Sequence, residues 1–321
     1  MSPRARATIL AVVFAVIAVF TGIHTGNKVL DTDEAVYQRT LREMRNGVGY
    51  YRAMSDALVV KEGARPDSVR AIRPPTEFLI LRWFPERSWR YIVGLVYLAV
   101  LLGLGRLGER FKPYGAEIAV IAGGVWMIGA SSYLYLHAEL WGLPFFVAGL
   151  VAARDEQDGR AAALIAIAAV IRELYGLGLV LGLLFAKRKW IWLVAISVVV
   201  GLAGVHYSLA RDVLVAHGHQ VALGNEPITF HSVLRFISPG DRTAAFVLGL
   251  SMLVLGFVGA VRHFQDQSAR ILLPFATVMI VAGIVATRSY WNLTYGPALS
   301  SFAPAATTLR RRATEPGHPL P

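Results

Sequence analysis

Cysteine is absent from all 321 residues. That excludes a disulfide framework and thiolate chemistry, and it leaves the compartment unread. Acid is scarce: 21 Asp and Glu stand against 32 Lys and Arg, for a formal net charge of +11. No internal repeat and no low-complexity tract is detectable. Short segments of alternating apolar and polar residues, the mark of a transmembrane barrel, are missing as well. What remains is apolar. The chain is 55% hydrophobic with a mean hydropathy of +0.51, too apolar for an ordinary soluble domain. Its apolar residues fall in blocks of roughly 15–25, the length that crosses about 30 Å of hydrocarbon. In lipid the backbone must satisfy itself, so these blocks are expected to be helices. Excess positive charge would point to nucleic acid in a soluble protein. Here it sits in short loops that fix orientation, and no nucleic-acid partner is expected.

Those charges order the chain into an all-α, polytopic protein of about 8–10 membrane segments. Arg4 and Arg6 hold the N-terminus inside, and the apolar run after them reads as a retained anchor rather than a cleaved signal peptide. An outer segment over 27–88 follows. Helices over 90–108, 114–134 and 139–153 come next, with Arg106, Arg110 and Lys112 inside. The block 161–186 is flanked by Arg160 and by Lys187, Arg188 and Lys189, which places both of its ends inside. One crossing cannot do that. A re-entrant hairpin of two short helices turning near Arg172 and Glu173 can, each arm about 18 Å long; the alternative is one long helix. Helices over 190–209, 243–261 and 271–287 follow, with a second outer segment over 210–242. Residues 1–309 form one transmembrane domain, and 310–321 form a disordered cytoplasmic tail.

The first outer segment carries structure of its own. In "AVYQRTLREM", Val36, Thr40, Leu41 and Met44 share one helical stripe, with Arg39, Arg42, Glu43 and Arg45 mostly off it. That suits a helix lying on a bilayer surface. "GVGYYRAMSDALVV" offers a glycine break and a second amphipathic stretch, and "AIRPPTEFLILRWFPE" closes the segment with two prolines and an aromatic belt.

Several groups could carry chemistry. Asp31, Asp33 and Glu34 crowd the mouth of the first outer helix. Asp31 and Glu34 have the spacing of a capping box, which leaves Asp33 unexplained. Arg172 and Glu173 fall near bilayer depth, where a charge costs at least about 2.5–3.5 kcal/mol and faces a partner or a cavity. They read either as a mutual ion pair or as an arginine whose planar fork grips phosphate. His137 and Glu139 sit at a helix junction, either as a hydrogen-bonded pair or as site residues. Arg288 and Tyr290 are either site residues or an interface anchor, and Arg73 is either a site residue or a surface one. His206, His217, His219 and His231 lack the spacing of a metal site.

With these residues in view, the layout resembles the GT-C superfamily of integral membrane glycosyltransferases, which use polyprenyl-phosphate-linked sugars. "DTDEAVY" is similar to the acidic motif of the first outer loop, with Tyr37 four residues after Asp33. "GVGYY" and "RPP" resemble the elements that follow it. "HAELWGLPFFVAGLVAARDEQDGRAAALIAIAAVIREL" resembles the stretch that carries a glutamate into helix four and a buried Arg-Glu pair after a cytoplasmic turn.

The resemblance implies a GT-C-like fold and an inverting sugar transfer on the extracytoplasmic face of a bacterial inner membrane. The partners it implies are a polyprenyl-phosphate-linked sugar donor, membrane lipid, and a lipid, glycan or protein acceptor. Asp33 is the first choice of base, with Asp31 or Glu34 as its neighbour or as ligand to a divalent metal; metal use itself stays open. Arg172 and Arg288 are the expected phosphate contacts, with Arg73, His137, Glu139 and Tyr290 also substrate-binding. A transporter or lipid-sugar flippase would share the intramembrane charges and the broken helix, and an assembly factor would reduce the acids to caps.

Overall fold

The computed structural model describes residues 1–25, 32–62, 72–85, 88–111, 114–130, 138–216, 243–286 and 292–307. It is helical, with no strand among the described residues. The first helix, α1 (Pro3–Thr25), is followed by the outer segment's α2 (Thr32–Arg45), α3 (Tyr50–Glu62) and α4 (Thr76–Leu81). Then come α5 (Trp89–Gly108), α6 (Gly115–Ala130), α7 (Ala138–Arg154), α8 (Asp158–Ile171), α9 (Gly176–Phe185) and α10 (Lys189–Ala216). The chain ends in α11 (Thr243–Arg262), α12 (Gln267–Ala286), α13 (Asn292–Ser300) and α14 (Ala303–Thr307). The described stretch 292–307 is thus two short helices, broken at Ser301 and Phe302.

Three of the described helices, α1, α5 and α10, are long and apolar enough to cross a membrane. Helix α5 buries Val93, Val100, Leu101, Leu104 and Leu107, whereas the packing of α1 and α10 is the reverse of a soluble core. Helix α1 turns Ala7, Ala11, Ala15 and Ala18 onto α5 and α6 and leaves Ile9, Val12, Val13, Val16 and Phe20 outside. Small residues let helices approach closely where burying large apolar side chains gives no advantage. Helix α10 goes further: Leu193, Val194, Val198, Val200, Leu202 and Val205 are all exposed, and only Trp192, Ala210 and Leu214 are buried along its length.

One end of the bundle is laced by charge. Arg4 pairs with Glu109 at 2.9 Å and Arg6 with Glu117 at 2.8 Å, tying the start of α1 to the end of α5 and the start of α6. Arg110 pairs with Asp266 before α12. Gln267 donates to Asp158 at 3.0 Å, and Lys187 meets Glu156 at 2.5 Å. Every charge-bearing turn in this network is one that the basic residues group on a single side.

The network also settles the shape of 161–186. Asp158, at the start of α8, accepts the backbone N–H of Arg188 just beyond α9 at 3.0 Å. Gly178 of α9 packs against Ile165 of α8, which a continuous helix could not allow. The block is a hairpin whose ends meet. Its turn is Arg172, which leaves the helix in an extended conformation, and a 3-10 turn over Glu173–Tyr175.

At the opposite end, α2, α3 and α4 form a cap. Val36, Thr40, Leu41 and Met44 are buried, while Arg39, Arg42 and Arg45 are exposed, so the α2 stripe faces inward as its period requires. Gly47, at φ +90, turns the chain into α3, whose Ala53, Met54, Ala57 and Leu58 complete the seam. Phe78 of α4 packs edge-on to Tyr37 at 5.5 Å and against Tyr50 at 5.2 Å. Arg45 lies over the Trp89 ring at 5.0 Å, and Trp89 donates to the carbonyl of Leu81 at 3.1 Å, fastening the cap to the top of α5. The cap thus rests on the bundle, where the sequence pattern predicted a helix lying on lipid.

Candidate functional site

Beneath the cap lies a buried cluster of ionisable side chains. Arg172 stands at its centre because α8 ends there: its extended backbone lifts the side chain off the helix and aims it at α7. Its guanidinium contacts Glu139 through Nε at 2.9 Å and Nη2 at 2.7 Å, with both side chains about 5% exposed. Nη1 contacts the half-exposed Glu173 at 3.2 Å. The Arg172–Glu173 pair that the sequence allowed is present, and Glu139 is a second partner that the sequence reading did not pair with Arg172. Glu173 is the outer, weaker partner, and the buried one is Glu139, held at the first turn of α7.

Tyr175 locks this arrangement. Fully buried in the 3-10 turn, it donates its hydroxyl to the carbonyl of Glu139 at 2.6 Å and stacks on Phe275 of α12. Gly142, one turn after Glu139, leaves room for that ring. The pair is pinned from both sides by backbone geometry rather than by flexible side chains alone.

From above, the cap adds three groups. Arg73 is half-buried and hydrogen-bonded to Tyr37, and it lies within the fields of Glu139 and Glu173. Burial by itself would weaken its charge; Tyr37, Glu139 and Glu173 outweigh that and raise its value. Tyr50 donates to the carbonyl of Arg73 at 2.5 Å, which fixes the Ile72–Pro75 turn over the cluster. Glu77, in the first turn of α4, is buried to 1% exposure, and its Oε2 has no hydrogen-bond partner. Burial pushes its carboxyl up to about 8; the charge of Glu139 adds to this, and Arg172 and Arg73 act against it. At the rim, Tyr51 and His206 Nδ1 are 3.0 Å apart, and His206 Nε2 lies 3.2 Å from the carbonyl of Ile72. These contacts join α3, the turn and α10.

The structure thus brings together three sequence-predicted residues, Arg73, Glu139 and Arg172, with Tyr37 beside them. Asp33 and Glu34 stand in the first turn of α2, with Tyr37 one turn beyond Asp33; their side chains lie outside the described residues, as does all of Asp31. His137, Arg288 and Tyr290 also lie outside the described residues. Among the described residues no group of three or more His, Asp or Glu is arranged to hold a metal ion.

Sequence reasoning passed over Glu77, Tyr175 and the site role of His206. No local pattern marks Glu77, which stands two residues after Pro75 in the first turn of a short helix.

The cluster holds two guanidiniums, the carboxyl groups of Glu139 and Glu173, and a third acid, Glu77, with one oxygen unpartnered among the described residues. Such an arrangement can receive an anion in a space from which most water is excluded. Set against known families, curated proteins and solved structures, the chain matches none of them.

Proposed function

We propose that this chain is a polytopic membrane glycosyltransferase that moves a sugar from a polyprenyl-phosphate donor to an acceptor, with inversion at the anomeric carbon. One observation carries the reading. Arg172, Arg73, Glu139 and Glu77 converge under a cap at the end of the bundle away from the basic network. Buried charge of this kind is expensive and is kept where a charged ligand or a reaction uses it.

In the reaction, an acceptor hydroxyl gives its proton to a carboxylate as its oxygen bonds to the anomeric carbon. The bond from that carbon to the phosphate oxygen breaks, and the lipid phosphate leaves with the electron pair. It needs no proton, being a stable anion, but it does need cations, which Arg172 and Arg73 supply. Asp33 is the base in this scheme, standing one turn from Tyr37 on the element that roofs the cluster. The exposed apolar surface of α10 offers lipid contact for an isoprenoid tail. The basic residues at the far end favour an extracytoplasmic location for the site.

The experiment is transfer by the purified chain from a polyprenyl-phosphate sugar in detergent. Asp33→Asn should bind donor and release no sugar, because the change removes basicity at nearly constant volume. Full turnover by Asp33→Asn, Asp31→Asn and Glu34→Gln alike would defeat the scheme. The hairpin of α8 and α9 also favours a second reading, a lipid-sugar flippase, since broken helices line transport sites. That protein would move the intact donor across vesicles and would never cleave it.

A further inference from the structure

Glu77 is not used by the scheme above, yet it is the most deeply buried acid of the cluster, and its Oε2 is left without a partner. A buried polar atom left unsatisfied costs about 1–3 kcal/mol, and of the buried atoms so left among the described residues, Glu77 Oε2 is the one within the charged cluster. The groups that face it can be named. Glu139 comes from α7, Arg172 from the hairpin turn, Arg73 from its own turn and Tyr50 from α3; Glu173 and Tyr37 lie around Arg73, and His206 stands at the rim on α10.

Charge balance decides its state. Arg73 and Arg172 carry two positive charges, and Glu139 and Glu173 carry two negative ones. With Glu77 neutral the cluster sums to zero. Ionised, it would set three carboxylates against two guanidiniums and repel any further anion. A neutral carboxyl has one O–H to donate, and an anion is its best acceptor.

We infer that Glu77 donates a hydrogen bond from its carboxyl group to a phosphate oxygen held between Arg73 and Arg172. The inference rests on the proposed use of a lipid phosphate and names the residue that selects it. Glu77 thereby makes phosphate binding depend on pH. The proton is present up to about pH 8 and is lost above it, as burial and the Glu139 charge dictate.

The test is binding of farnesyl phosphate to the purified full chain in detergent, at pH 7.5 and 9.5, with farnesol as the uncharged control. Phosphate is already largely in its second ionised form at the lower pH, so the ligand's own charge hardly changes between them. Wild type should lose about twentyfold in affinity for the phosphate, following the protonated fraction of a group near 8, and nothing for farnesol. Glu77→Gln keeps a donor that cannot ionise. It should bind within about threefold of wild type at pH 7.5 and show no pH loss. Glu77→Leu should bind weakly at both values.

An unchanged pH loss in Glu77→Gln overturns the inference, as does a wild type that binds phosphate equally well at both pH values. The sugar-transfer assay separates this from the wider reading. A Glu77-dependent pH loss without transfer keeps the phosphate site and removes the enzyme. Transfer with a pH profile indifferent to Glu77→Gln keeps the enzyme and removes Glu77 from its site.

Discussion

Glu139 holds the guanidinium of Arg172 by two contacts, at 2.9 and 2.7 Å, across 33 positions of sequence. Both side chains are almost wholly removed from solvent, so neither can lose its partner cheaply. Arg172→Met alone should destabilise the fold by about 3–5 kcal/mol, because it strands a buried carboxylate. Adding Glu139→Gln should recover most of that loss, since a buried pair can be replaced as a unit. Adding Glu173→Gln should not, because Glu173 is half-exposed and worth at most about 1 kcal/mol. Melting temperatures of the three variants decide it. Recovery with Glu173→Gln instead would return that residue to the inner place.

The hairpin of α8 and α9 gives a labelling prediction. Glu156 and Lys187 are exposed and joined at 2.5 Å, and the chain has no native cysteine to confuse the result. Single cysteines at these two positions should react from the same side of an oriented vesicle. Reaction from opposite sides would separate two residues that the fold joins.

Glu77 gives the stability its own pH dependence. Its carboxyl is raised from an ordinary 4.5 to about 8, chiefly by burial. The folded chain therefore keeps a proton that the unfolded chain has given up across that window. The stability it contributes is complete below about pH 4.5 and is lost as pH rises through about 8. The loss should be on the order of a few kcal/mol. The melting temperature of wild type should fall relative to Glu77→Gln between pH 5 and 9. Parallel curves would mean that Glu77 is ionised throughout.

Two glycines separate close packing from open surface. A methyl on Gly259 of α11 would run into the carbonyl oxygen of Phe302, which is backbone and cannot swing away. Gly259→Ala should cost about 1–3 kcal/mol through forced backbone shifts. Gly201 of α10 has nothing within 4 Å, so Gly201→Ala should be neutral or stabilise by up to about 1 kcal/mol through helix propensity. Equal effects in a thermal assay would put α10 in contact with something beyond this chain.

Much of this architecture was legible because it rests on period and charge. The α2 stripe of Val36, Thr40, Leu41 and Met44 is a 3.6-residue pattern, and it is buried as written. The ends of the hairpin follow from Arg160 and the run Lys187–Lys189. The partner of Arg172 was harder. Adjacency in sequence offers Glu173, which Arg172 does contact at 3.2 Å, and says nothing of a second acid 33 positions away. Glu139 and Arg172 lie about equally far on either side of the turn at Asp155–Gln157, so the antiparallel packing of α7 and α8 brings them level. Glu77 was hidden for another reason. It occupies the first turn of a helix of only six residues, too short for a periodic signal, and the groups around it come from other elements, Tyr50 of α3, Glu139 of α7 and Arg172 after α8. No local pattern encodes that.

The short arm of the hairpin acts as a ruler. Between Asp158 in the charge-laced network and Arg172 in the cluster run the 14 residues of α8, about 21 Å of rise. That is shorter than the hydrocarbon of a bilayer, about 30 Å. Each residue added to α8 would lift Arg172 by about 1.5 Å and also swing it by about 100°, away from Glu139. Height and heading change together, so only insertions close to a whole turn keep the pair facing, in steps of about 5.4 Å. The distance between the charge-laced end of the bundle and the Arg172–Glu139 pair is therefore not continuously adjustable.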